Sequence, residues 1–389
     1  MNSQIASSAL SLTTFLRVSA AAMRVGIVPL WWGDAGIGKT SMARTLARLD
    51  GGRCEVVEPY KHTAIDLQGL PHVSADEHVT LIPPAWAVRA AAGETTHLLI
   101  DEVTIAGDAQ KALLSVALDR RVGDLTLPRE VKIIAAANPP ELSVDGDDLP
   151  GPLANRFLHM DFPTGAEAWI AGMTTGWQLP AGAFDGLPDP TPERRAVTRA
   201  VVTGFIRQFP ALLHDRPHGQ PDKEGRAWPS HRQWERVADV LAALGPCPSD
   251  PEGTEAETVA VAGLVGQGAA QQFVAWRREA DLPDPDEVTR EPESIAWAGL
   301  RDDVAWAILN AVVTLAVQRG TVVAWKAAWG PLSVAAQAGR PDLAAANVRN
   351  LMAARPNNTV PPASARKLMG ALTEAGVLPS NFTDAAVAA

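Results

Sequence analysis

The octapeptide GDAGIGKT at residues 33–40 constrains this chain more than any other feature. It has the form G-x-x-x-x-G-K-[ST], and its glycines let a loop turn backbone N–H groups inward around phosphates. A helix beginning inside the loop would point its positive end at the same anion. The candidate nucleotide contacts are Gly33, Asp34, Ala35, Gly36, Ile37, Gly38, Lys39, Thr40 and Ser41. Lys39 is expected to reach the β- and γ-phosphates, and Thr40 to hold Mg²⁺ through its hydroxyl. A plain glycine-rich turn is the simpler reading, and the flanks argue against it. Residues 30–32 form a short apolar run, with Pro29 at its start where a missing N–H is tolerated. Residues 40–49 follow with Met42, Leu46 and Leu49 on one helical face.

Short apolar runs alternate with helical patterns over the first ~165 residues, the mark of a parallel sheet with crossover helices. Further strands are expected at residues 55–57, 97–100, 131–137 and 157–162, with a helix at 109–118. Two small hairpins interrupt the scheme, one near residues 73–82 and one near 121–127. The expected fold is therefore α/β, with a parallel five-stranded sheet flanked by helices.

The ends of these strands supply chemistry, because open α/β sheets bind ligands at their carboxyl edge. The run HLLIDE places Asp101 at the end of a buried strand, where it can orient the Mg²⁺ shell. Glu102 is next, suited to polarising a water toward a γ-phosphate. Asn138 ends the run IIAAA and could hydrogen-bond that water or the phosphate, although Asn-Pro also begins turns unaided. Arg156, in LANRF, lies before the last strand, and arginines so placed can stabilise transition-state charge on a neighbouring subunit's nucleotide.

In this order the motifs resemble those of AAA+ ATPases, and within them the MoxR branch. The segments that carry the resemblance are GDAGIGKT, DLQG at 66–69, PPAW at 83–86, LLIDE, AAANPP at 135–140 and LANRF. It spans residues 10–245 and thins out in the last third. The resemblance implies hydrolysis of ATP with Mg²⁺, with Arg156 acting in trans. It also implies a lid arginine acting in cis at Arg232 in PSHRQW, where similar sequences often carry Pro in place of His231. A homo-oligomeric ring, usually a hexamer, is implied as well. So are chaperone-like work on a protein client and a partner with a von Willebrand factor A domain. The hairpins, near 71–84 and 121–128, would face the pore or the partner. The expected domains are a core at 1–163, a helical lid at 164–281, a linker at 282–293 and a helical region at 294–389. The Pro- and acid-rich run LPDPDEVTREPE suggests the linker.

Composition narrows the alternatives. A net charge of −10 argues against a whole-surface nucleic-acid binder. A helicase-like motor would share every nucleotide residue, but the first hairpin carries Asp76 and Glu77 and no Lys or Arg. A nucleotide switch without turnover would not need Glu102 and Arg156, and a small-molecule kinase would not need LANRF. The two cysteines, Cys54 and Cys247, form no metal or disulfide pattern. No apolar run reaches membrane-span length, and the apolar stretch at 5–22 is interrupted by Arg17 and lacks a basic start. It reads as a core-packed helix and the protein as cytoplasmic. The 12 tryptophans read as packing residues. Residue chemistry alone leaves open ATP against GTP, and the identity of client and partner.

Overall fold

Continuous apolar runs at this spacing need burial on both faces, and the computed structural model provides it. It describes residues 11–74, 76–104, 108–139, 149–163, 165–175, 186–245, 251–357 and 359–374. Nine strands lie among them. They are β1 (Pro29–Trp32), β2 (Arg53–Val57), β3 (Leu70–Val73), β4 (Val79–Ile82), β5 (Thr95–Ile100), β6 (Arg121–Val122), β7 (Leu125–Thr126), β8 (Lys132–Ala137) and β9 (Leu158–Asp161). Five of them form one sheet in the order β2-β5-β8-β1-β9. Every pairing in it is parallel. This is the α/β architecture of an AAA+ core, with the phosphate-loop strand β1 held between β8 and β9.

The chain divides into two compact units that interleave. The first takes residues up to 188 and 214–270; the second takes 189–213 and the residues from 271 onward. The first unit holds α1 (Leu12–Arg24), α2 (Lys39–Leu49), α3 (Ala64–Gln68), α4 (Ala85–Ala91), α5 (Asp108–Asp119), α6 (Gly151–Ala154) and α7 (Ala166–Thr175). Helix α8 (Pro192–Gln208) belongs to the second unit, and α9 (Pro221–Glu224), α10 (His231–Leu244) and α11 (Pro251–Val265) return to the first. Helix α12 (Gln267–Ala280) spans the division, and α13 (Pro285–Arg290) and α14 (Asp302–Arg319) follow it. The chain then continues through α15 (Val322–Ala327), α16 (Trp329–Gln337), α17 (Pro341–Ala353) and α18 (Ala363–Glu374).

Helix α1 covers the sheet beside β1. Ser11 caps it by accepting from the Thr14 N–H. Phe15 meets Trp31 and Phe162 with ring centroids 5.2 Å away in each case, and the Trp31 indole donates to Ser19 Oγ at 3.2 Å. Residues 5–10 of the expected helix lie outside the described residues. On β1's other flank, the Trp32 indole N–H donates to His159 Nδ1 at 2.9 Å. That bond fixes the ring as the tautomer whose Nε2–H donates to the Ala154 carbonyl, also at 2.9 Å. The Arg226 guanidinium covers the Trp32 ring at 3.9 Å.

Both expected hairpins form, β3 with β4 and β6 with β7, and they touch. The Leu81 N–H donates to the Asp124 carboxylate at 2.8 Å. Gly123, in the second turn, has φ +58°, and a Cβ there would come within 2.5 Å of the Gln68 carbonyl oxygen. Only glycine satisfies both conditions. The first hairpin leaves Leu70, Val73, Val79 and Ile82 exposed.

In the second unit, the tryptophans are structural. Trp276, Trp297, Trp325 and Trp329 are buried, and the Trp276 indole donates to the buried Asp303 carboxylate, which also pairs with Arg301. Residues 282–293, expected as a linker, contain α13, capped by Asp284 and started by Pro285. Proline and acids here make a helix start rather than a loop, since Pro suits the first turn and the cap accepts its N–H groups.

Two buried histidines make stability depend on pH. His159 is held down to about 4 by burial first, its Ala154 bond opposing. His97 is likewise lowered to about 4, by burial and then Lys132, with Asp50 opposing. Both titrate near 6.5 in an unfolded chain. Between those values the unfolded chain takes up protons that the folded one refuses, so stability is full above pH 6.5 and falls as pH drops toward 4. Urea melts from pH 7 to pH 5 should show falling stability, by about 1 kcal/mol per pH unit per histidine at most. His159→Gln should reduce that slope; a wild-type midpoint that does not move over this range would contradict the assignment.

Candidate active site

Strand register builds the site. Trp32 lies opposite Ala137 across the β1–β8 ladder, and Ile100 lies opposite Ala135 on β8's other side. The ladder continues past the strand ends: the Gly33 N–H donates to the Ala137 carbonyl at 3.1 Å, and the Val103 N–H to that of Ala136 at 2.9 Å. The phosphate loop, Asp101-Glu102 and Asn138 therefore emerge side by side at the carboxyl edge of three adjacent strands.

Within the loop, Gly36 and Gly38 take φ +80° and +108°. Gly38 also stands as the N-cap of α2, where no side chain caps the helix. The first amide groups of α2 are left for an anion from outside the loop. Asp34, Ala35, Gly36 and Ser41 are exposed, and Gly33, Ile37, Gly38 and Thr40 are half-buried. Lys39 is buried at 6% exposure. Its ammonium donates to the carbonyl oxygens of Gly33 and, at 3.0 Å, Asp34, and to Asn138 Oδ1 at 3.0 Å. Burial lowers its pKa, while Asp101, Asp34 and Glu102 in that order oppose the shift.

The Thr40 hydroxyl donates to Asp101 Oδ2 at 3.0 Å. The other carboxylate oxygen of Asp101 accepts from the Glu102 N–H at 3.1 Å. Glu102 has φ +52°, a left-handed conformation that costs a non-glycine residue on the order of 1–2 kcal/mol. Among the described residues no group of three His, Cys, Asp or Glu side chains could cage a metal. A hydroxyl beside a carboxylate fits Mg²⁺ instead, an ion that takes a few protein oxygens and completes its shell with water and phosphate.

Arg156 and Arg232 lie elsewhere in the same unit. Arg156 follows α6 and is half-buried, and Arg232 is exposed in the first turn of α10. Neither guanidinium has a hydrogen bond or ion pair among the described residues. Both crowd Arg236, whose pKa is lowered to about 10 by burial first, then Arg232 and Arg156, with Glu235 and Asp239 opposing. Arg236 thus lies in the field of two like charges, partly offset by the two carboxylates. Arg236 was not among the sequence candidates. Its signal was the spacing in HRQWER, since residues four apart share a helix face, but a lone arginine one turn into a helix usually faces solvent.

The geometry can accept a phosphate at the α2 N-terminus, a divalent cation at Thr40 and Asp101, and a polarised water near Glu102 and Asn138. Residues 30–157, about a third of the chain, match the family model of the AAA domain (dynein-related subfamily). No curated protein matches the chain significantly. A Cytophaga hutchinsonii protein described provisionally as an ATPase is 16% identical over 70% of this chain and 86% of its own. Its TM-score of 0.40 is too low to carry an argument.

Replacing Lys39 by Ala should abolish nucleotide binding. Mg-ATP at a hundred times its Kd should stabilise the wild type by about 2.7 kcal/mol and leave Lys39→Ala unshifted in the same thermal melts. Equal shifts in both proteins would remove the loop from the binding site. Together, the family match, the five-stranded parallel sheet and the phosphate loop at its carboxyl edge support an AAA+ ATPase.

Proposed function

We propose that this protein is a Mg²⁺-dependent ATPase of the MoxR type that works as a ring on a protein client. The observation that carries the reading is the joining of three strand ends by two hydrogen bonds, Thr40 to Asp101 and Lys39 to Asn138. These bonds bring the hydrolytic residues together and support the Mg²⁺-dependent ATPase part of the reading; the MoxR type, the ring and the client rest on the motif resemblance. In this reading Lys39 binds the β- and γ-phosphates, and Thr40 and Asp101 hold Mg²⁺, which neutralises phosphate charge. Glu102 takes the proton of the attacking water, and Asn138 orients that water or the γ-phosphate. Arg232 contacts the γ-phosphate in cis. Arg156 contacts the nucleotide of the neighbouring subunit, so each site is completed only in the assembly.

Two features support a polypeptide client over nucleic acid. The first hairpin exposes Leu70, Val73, Val79 and Ile82, and it carries no Lys or Arg. Apolar side chains along the two strands suit a peptide, whereas a strand of phosphates would need basic ones. A partner with a von Willebrand factor A domain belongs to the same reading and rests on the motif resemblance alone.

Glu102→Gln should bind ATP with near wild-type affinity and lose at least ~100-fold in turnover, the usual scale for removing a positioned base. Steady-state phosphate release checks this, and turnover within twofold of wild type would remove Glu102 from its role. Arg156→Ala should also bind ATP without hydrolysing it, and regain activity when mixed with subunits that supply an intact arginine. A fully active monomer by light scattering would end the trans assignment.

A further inference from the structure

The segment carrying Arg156 is fastened to the helix carrying Arg232 by side chains that the mechanism above does not use. Ser230, the N-cap of α10, accepts from the Gln233 N–H at 3.2 Å and donates its hydroxyl hydrogen to Asn155 Oδ1 at 2.5 Å. The Asn155 amide donates to the Trp228 carbonyl at 2.9 Å. The Gln233 amide donates to the Phe157 carbonyl at 3.1 Å, and Arg236 donates to the carbonyl of Arg156 itself. Three consecutive residues, 155 to 157, are thus each tied to α10, to its N-cap Ser230 or to Trp228 just before it.

Asn155, Ser230 and Gln233 are 3%, 6% and 0% exposed. Burying amides and a hydroxyl costs more than packing apolar groups, and Gln233 Oε1 finds no hydrogen-bond partner among the described residues, but the directional bonds that are made allow one register. An apolar contact here would let the segment slide on the helix. The part of Arg156 left outside the fastening is its side chain, whose guanidinium has no hydrogen bond or ion pair among the described residues.

We propose that Asn155, Gln233 and Arg236 are positioning residues that lock Arg156 to α10, so that γ-phosphate contact at Arg232 in one subunit sets the arginine offered to the next. The inference rests on the assignments of Arg156 and Arg232 to phosphate. It adds a rigid link between a subunit's own site and its neighbour's. A shift of α10 acts directly on the backbone of residues 155–157, which lead into β9.

The test uses donor subunits whose own site is dead. Glu102→Gln subunits bind ATP without turning it over, so they keep the γ-phosphate contact at Arg232 while presenting Arg156 to wild-type neighbours, and with this donor in large excess most of the activity depends on the donated arginine. Adding Gln233→Leu or Arg236→Met to the Glu102→Gln donor should cut the neighbours' kcat about tenfold or more, since small misplacements of a catalytic group have effects of that order. Arg236→Lys keeps a donor for the Arg156 carbonyl and should restore part of the loss. A Glu102→Gln/Arg156→Ala donor is the control. If it fails to depress the neighbours below the Glu102→Gln level, the trans reading of Arg156 falls. If it depresses them and the Gln233→Leu and Arg236→Met donors do not, the lock falls while that reading stands. Size-exclusion chromatography and circular dichroism show that each donor folds and assembles. Should Gln233→Leu misfold, the comparison of Arg236→Met with Arg236→Lys decides.

Discussion

The register of β1 against β8 is the constraint on which the rest of the first unit depends. Parallel strands have no tight turn to set their alignment, so burial on both faces must do it. Leu30, Trp31 and Trp32 face Ala135, Ala136 and Ala137, and all six are buried. A slip of one residue would turn every side chain of the strand to the opposite face. It would also move Asn138 relative to Gly33 and break the bond from Lys39. The alanines matter for their size. Beside two tryptophans, three small side chains let the sheet and its covering helices close without a void. Packing at the centre of the sheet thus places polar groups at its edge.

Those polar groups are held against opposing costs. A buried ammonium is unfavourable, and at Lys39 burial lowers the pKa. Two carbonyls and an amide oxygen offset the lost water, with three carboxylates nearby. Glu102 keeps a left-handed backbone although its side chain disfavours it, with its N–H bound to Asp101 Oδ1. Arg236 is buried in the field of Arg232 and Arg156. In each case the surrounding fold maintains a local arrangement that would relax in isolation, the condition expected where charge is to be met by a ligand.

Much of this was readable in the residues. The glycine pattern with Lys39 and Thr40 specifies a loop conformation locally, because φ values near +80° and +108° need glycine whatever surrounds them. Residues 98–100 announced a buried strand by being apolar without alternation, and Asp101 marked its end as the first acidic residue after them. The hairpins were legible from their turns. The run at 282–293 was not, because proline and acids serve equally to end a loop and to begin a helix. Arg236 was not legible either, since its partners are a carbonyl 80 residues earlier in the chain and two charges of its own sign.

Taken alone, the sequence determined the local chemistry: a phosphate loop, strands that must be buried, and the candidate carboxylates, amide and arginines at their ends. Those properties follow from backbone sterics and from the periodicity of apolar residues, which act over a few positions. Only the tertiary structure decided which of these residues meet. Lys39 reaches Asn138, Thr40 reaches Asp101, and the Arg156 segment is fastened to α10. Such pairings depend on strand order and on the partners that buried polar atoms must find, and no short stretch of sequence carries that information.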